Sequence, residues 1–353
     1  MAIAVAEAPL SLPDLRVRSL APVRTWIFVL AALVVAMVAV GGATRLTGSG
    51  LSITEWRPVT GAIPPLSEAA WMAEFEKYRA IPQYQLLNRG MSLSEFKVIY
   101  AWEWGHRQLG RLLGLAFFIP LVWFWAKGLV TRRLALTLLA IGALGGLQGA
   151  VGWIMVASGL KPGMVAVAPV KLMLHLTLAS VIFACLVWVA TGLTSAPSRA
   201  TSPGRAATGA KVLLALVFVQ IALGALVAGS KAGLTYNTWP LMDGMLIPPA
   251  SALFVVEPFI ENFVDNVTLV QFNHRMVAYA LVAFAVWHAW FLRGTDAFRR
   301  ARVVAGLTLA QMVLGIVTLL LVVPLWAGLA HQVFAMAVLG MAVVHARRSA
   351  EGA

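Results

Sequence analysis

Eight runs of about 20 apolar residues, each long enough to cross the hydrocarbon core of a bilayer, punctuate this chain at residues 25–44, 107–126, 134–158, 170–193, 211–229, 272–292, 302–323 and 326–345. No other feature restricts the fold as tightly. In lipid, every backbone N–H and C=O must find its partner inside the protein, so runs of this kind fold as helices. Composition agrees. At 60% hydrophobic and 12% charged, the 353 residues carry more apolar surface than a soluble domain can bury. The expected fold is an all-α integral membrane protein with eight transmembrane helices.

Lys and Arg concentrate in the N-tail (1–24), the loops at 127–133, 194–211 and 293–302, and the tail at 346–353. Acidic residues concentrate in two long loops, 45–102 and 230–270. The positive-inside rule then predicts two cytoplasmic termini and two long outer loops. In that setting the net charge of +13 reads as loop charge and attraction to anionic lipid, not as a nucleic-acid surface. Cys185 lies inside an apolar run and has no cysteine to pair with, which excludes an internal disulfide and argues against thiol chemistry. The N-terminal stretch lacks a signal-peptide cleavage pattern, is short for a transit peptide and reads as a cytoplasmic tail. Residues 196–210 form the linker-like segment, with APSRATSPGRAAT at 196–208.

Across that linker the chain repeats itself. GSGLSITEWRPVTG (48–61) aligns with SKAGLTYNTWPLMDG (230–244), so that Gly50, Trp56 and Gly61 meet Gly233, Trp239 and Gly244 at one offset. Gln148 and Gly152 match Gln311 and Gly315, and His106 and His175 match His274 and His331. The expectation is two tandem four-helix bundles, 25–195 and 211–345, related by a pseudo-twofold along the membrane normal.

Four of the six histidines thus sit at the outer ends of the even-numbered spans. Intramembrane ionisable residues mark function, and neutral imidazole is a common axial ligand of heme iron. Two bis-histidine sites, His106/His175 and His274/His331, would each place a porphyrin between the even helices of one half. His288 and His345 follow His274 and His331 by 14 positions, about 21 Å along a helix. The first half has Pro120 and Val189 at the equivalent places, so both are read as interfacial or packing residues. The flanking motifs differ between halves: EWGHR at 103–107 against QFNHR at 271–275. Glu103 and His106 are i and i+3 on one helix face, whereas Gln271 hydrogen-bonds but cannot ionise. For Glu103, a plain helix-dipole charge is the competing reading.

RLTGSGLSITEW, EWGHR, NTWPLMDG and FNHR, on this duplicated frame, resemble the heme A synthase family from about residue 25 to 345. The chain is similar to its cysteine-free branch. The resemblance implies oxidation of the C8 methyl of heme O to a formyl, giving heme A for cytochrome oxidase. It implies a substrate heme at His106 and His175 with Glu103 as the catalytic group, and a heme b cofactor ligated by His274 and His331. Arg45, Arg107 and Arg275 are candidate partners for heme propionates, and Trp56 and Trp239 candidate shields of heme edges. A bacterial inner-membrane location follows, with the heme sites toward the periplasm. Heme O synthase and cytochrome oxidase assembly factors are the expected partners. The electron donor and homo-oligomerisation are left open. The main rival is a multi-heme cytochrome b passing electrons from quinol, with His288 and His345 as ligands. A transporter of parallel repeats is disfavoured, because no Asp, Glu, Lys or Arg falls in the middle of a span.

Overall fold

The computed structural model describes residues 19–193 and 204–351. The N-tail before residue 19, residues 194–203 and the last two residues of the tail lie outside the described residues. The 204–210 part of the predicted 196–210 linker is helical, continuing the fifth span toward the N-terminus. Eight helices are long and apolar enough to span a membrane: α1 (Ala21–Leu46), α4 (Leu93–Ala126), α5 (Arg132–Gly159), α6 (Pro169–Gly192), α7 (Gly204–Gly229), α10 (Val267–Phe291), α11 (Phe298–Leu320) and α12 (Leu325–Ala350). Four short helices complete the set: α2 (Glu68–Arg79), α3 (Pro82–Leu87), α8 (Ala250–Leu253) and α9 (Asn262–Asp265).

Helix starts follow local chemistry. Pro169 occupies the first turn of α6, where its missing N–H costs nothing. The Asn266 side chain caps α10 by accepting from the Thr268 and Leu269 amides. At Ser92 and Glu95 a reciprocal capping box opens α4. The apolar pattern places the second span at 107, but the helix begins at Leu93. The additional turns carry enough polar residues to escape a hydropathy count, and one face of them packs against protein. Phe96 and Tyr100 stack into an aromatic core with Phe75 and Tyr78 of α2. The outer segment expected as a loop at 45–102 is therefore largely a folded cap on the first half.

The principal apolar core fills the end of the bundle remote from the long loops, with Leu30, Leu121, Leu138, Leu186, Leu213 and Leu339 almost fully buried. In lipid this packing relies on close fit more than on the hydrophobic effect. Glycines supply that fit where helices cross, as at Gly142 against Phe117 and Gly340 against Phe183.

The same ring of neighbours is built twice: α1–α4–α5–α6 and α7–α10–α11–α12. Exchanging the halves turns the α6–α7 contact into α12–α1 and leaves α6–α12 unchanged, the pattern of an isologous interface. One wall breaks the likeness. In the second half α10 and α11 pack along much of their length, while α4 and α5 meet only briefly. Gly145, Gly146 and Gly149 of α5 have open space where a side chain would sit.

Candidate functional site

The four repeated histidines lie one on each even-numbered span: His106 on α4, His175 on α6, His274 on α10 and His331 on α12. Each ring rests on a glycine of the neighbouring odd-numbered span. A Cβ at Gly152 or Gly315 would come within 2.8 Å of Cε1 of His175 or His331. At Gly224 it would lie 3.1 Å from His274 Cε1, and at Gly41 3.1 Å from His106 Nε2. At Gly152 and Gly315 a Cβ would displace the ring, and at Gly41 and Gly224 it would crowd it.

One helical turn before three of those glycines stands a glutamine. Gln148 Nε2 donates to the His175 carbonyl at 3.0 Å and lies 3.1 Å from its Nδ1. Gln311 repeats this at His331, with 2.8 Å to the carbonyl and 3.2 Å to Nδ1. Gln220 repeats it at His274, with 3.1 Å and 3.0 Å. Sequence reading paired Gln148 with Gln311 but missed Gln220, Gly224 and Gly41. The pattern Q-x-x-x-G at the same end of three odd-numbered spans was the available signal.

These residues fit a porphyrin. A heme needs only two axial protein ligands, and each half carries two histidines on its even-numbered spans. The rings are half-buried, and α4 with α6, like α10 with α12, face each other across a ring without extensive packing. The Oε1 atoms of Gln148, Gln220 and Gln311 are buried without a partner. A metal-bound imidazole hands its other N–H to an acceptor, which these amides supply when Oε1, in place of Nε2, faces Nδ1.

EWGHR and QFNHR prove to be clasps for the outer segments. Glu103 lies well inside α4, about three turns beyond the Ser92 cap, so the helix-dipole reading fails. The carboxylate is buried and accepts three hydrogen bonds: from Ser52 Oγ and the Ile53 amide, both at 2.8 Å, and from Arg107 at 2.6 Å. Arg107 also donates to the Ile53 and Glu55 carbonyls, each at 2.8 Å. In the second half Arg275 donates to the Tyr236 carbonyl at 2.8 Å and to Gln271 Oε1 at 2.9 Å. Gln271 Nε2, however, donates to the Ala232 carbonyl at 2.7 Å. The Glu-to-Gln difference thus inverts the clasp at that one position: Glu103 accepts from its outer segment, whereas Gln271 donates to its own, and both arginines donate to carbonyls.

The arginines proposed for propionates are substantially engaged elsewhere. Arg107 holds two carbonyls and a carboxylate, and Arg45 donates to the Ala228 carbonyl across the interface between halves. Arg275 keeps one buried donor, Nε, without a partner. Trp56 and Trp239 are half-exposed, Trp56 beside Trp153 and Trp239 donating to the Tyr279 hydroxyl at 2.8 Å.

His288 and His345 pack against each other. Both are buried, and their Nε2 atoms lie 3.0 Å apart in a direct hydrogen bond. A metal between two imidazole nitrogens spans about 4 Å. The pair is closed in this arrangement, which supports the packing reading and counts against the multi-heme cytochrome.

A family model described as cytochrome oxidase assembly protein matches residues 24–343. A protein of Methylobacterium sp. (strain 4-46) is 70% identical over 329 residues, 92% of this chain and 91% of its own. One from Beijerinckia indica subsp. indica is 53% identical over 334 residues, 93% of this chain and 92% of its own. A third, from Azorhizobium caulinodans, is 50% identical over 349 residues, 98% of each. All three bear the name heme A synthase.

Proposed function

The chain belongs to the heme A synthases within the cytochrome oxidase assembly family, and from that premise we propose that it oxidises the C8 methyl of heme O to the formyl of heme A for cytochrome oxidase. The observation that carries this reading is a histidine cradle built twice, with a buried carboxylate beside one copy and an amide beside the other.

In this reading the 25–195 half takes heme O between His106 and His175. The 211–345 half holds heme b through His274 and His331, oriented by Gln220 and Gln311. Heme b, when bound, supplies electron transfer. Converting a methyl to a formyl requires two hydroxylations, or an equivalent sequence, and loss of water. Positive charge developing at the oxidised carbon is stabilised by a nearby fixed anion. Glu103, one turn before His106, is that anion. Its three hydrogen bonds suit a held counter-charge better than a proton shuttle, which would have to break one of them. Arg275 Nε is the donor left for a propionate of heme b. The protein sits in the bacterial inner membrane with both termini cytoplasmic and both heme sites toward the periplasm, receives heme O from heme O synthase and serves cytochrome oxidase assembly.

Hemes extracted from the purified protein and identified by mass test this directly. Heme b together with heme O or heme A is expected, and heme b alone would overturn it. In Glu103→Gln, heme stays bound and heme O or a hydroxymethyl product accumulates. Undiminished heme A output from that variant would remove Glu103 from the chemistry.

A further inference from the structure

Three of the four histidine cradles share one plan, a glutamine one turn before the supporting glycine. The fourth does not. Gly41 supports His106 as Gly224 supports His274, but the residue one turn before it is Met37, where Gln220 stands in the other half. The Met37 methyl reaches α4 one turn past His106, 3.7 Å from where a Cβ on Gly110 would lie. A thioether gives no N–H to pin the ring and only a weak acceptor, and its three rotatable bonds make it yielding.

The His106 ring reflects this. Among the described residues it forms no hydrogen bond, while each of the other three imidazoles has an amide within 3.2 Å of Nδ1. Its orientation differs too. His175, His274 and His331 turn Cε1 to their glycine, with Nε2 at 3.6, 4.0 and 3.6 Å from the Cβ position. His106 turns Nε2 itself to Gly41, at 3.1 Å. No amide among the described residues holds the His106 ring in this or any other orientation.

We propose that Met37 is a positioning residue that makes His106 the exchangeable iron ligand, so that the first half releases its heme while the second retains its own. This rests on the reading that the first half holds the substrate heme. An enzyme must let its product go, and two clamped imidazoles would keep it. A retained cofactor has the opposite need, and both of its histidines have their glutamine. Loss of a partner that orients a metal-bound histidine weakens the metal site about 10- to 100-fold, so one Gln-to-Met difference is enough to separate the two behaviours.

The test uses full-length protein in detergent, loaded with heme b and heme O, and an excess of apomyoglobin as heme acceptor. Transfer of each heme is followed by absorbance and by mass of the hemes left behind, and the ferric low-spin signal reports bis-histidine ligation. Wild-type protein should lose heme O at least about tenfold faster than heme b. Met37→Gln should slow loss of heme O about 10- to 100-fold and strengthen its low-spin signal. Met37→Leu, which changes the packing without supplying an amide, should exchange as wild type does. The reciprocal Gln220→Met should make heme b labile by a similar factor, and it carries the test should Met37→Gln fail to fold. Equal exchange of the two hemes in wild type, or swaps that leave both rates unchanged, would overturn the proposal. If no heme O or heme A is held at all, the fault lies in the functional assignment and not in the role of Met37.

Discussion

Gln271→Glu puts the inverted clasp under strain. Gln271 is 2% exposed, its Nε2 donates to the Ala232 carbonyl at 2.7 Å and its Oε1 accepts from Arg275. Glutamate has nearly the same shape, but an ionised carboxylate only accepts. It would bind Arg275 more strongly while setting an anionic oxygen against the Ala232 carbonyl, in a residue that is 0% exposed. A buried acceptor left unpaired costs about 1–3 kcal/mol, and the tighter Arg275 contact returns only part of what the repulsion adds. A net loss of about 1–3 kcal/mol in docking the 230–270 segment corresponds to about a 5- to 150-fold larger undocked population. Limited proteolysis of the purified full-length protein reads that population when reclosing outruns cleavage. Cleavage within 230–270 should rise by such a factor, with cleavage within 45–102 unchanged. Should Gln271→Glu resist protease as well as wild type, the donor–acceptor assignment at this clasp is wrong.

The glycine supports give a graded expectation. Gly315→Ala raises helix propensity by about 1 kcal/mol, yet its Cβ would stand 2.8 Å from His331 Cε1. Heme absorbance per protein should fall severalfold, and less in Gly224→Ala, where the contact is 3.1 Å. His345→Phe strips His288 of its buried partner, with a stability loss of about 1–3 kcal/mol. Both hemes should remain by mass, and loss of one would restore the cytochrome reading.

The eight spans were legible because lipid leaves the backbone few choices, and the long apolar runs announce them directly. The histidine pairs were legible because duplication displays equivalent positions side by side. What escaped had weaker signals. The start of α4 was missed because its first turns pack against the aromatic core around Phe75 and Tyr78, so they need not be apolar toward lipid. Gln220 was missed because its counterpart in the other half is Met37, so comparing the halves does not display it. Arg107 looked free for propionates because nothing in EWGHR shows that Ile53 and Glu55 fold back over it. The likeness of EWGHR and QFNHR was plain from the letters, but the reversal of hydrogen-bond direction needed the backbone groups opposite them.

The isologous contact between halves has an evolutionary corollary. In a dimer of identical four-helix chains, α6 would meet its own copy across the axis, and every substitution would appear in both sites at once. Such a dimer cannot keep one ligand firmly and let the other go. Joining the copies into one chain breaks that bond of inheritance while leaving the α6–α12 seam intact. Glutamate could then arise at 103 with glutamine at 271, and methionine at 37 with glutamine at 220, each without penalty to its twin. The two halves could diverge in role because they no longer shared a gene sequence, only a shape.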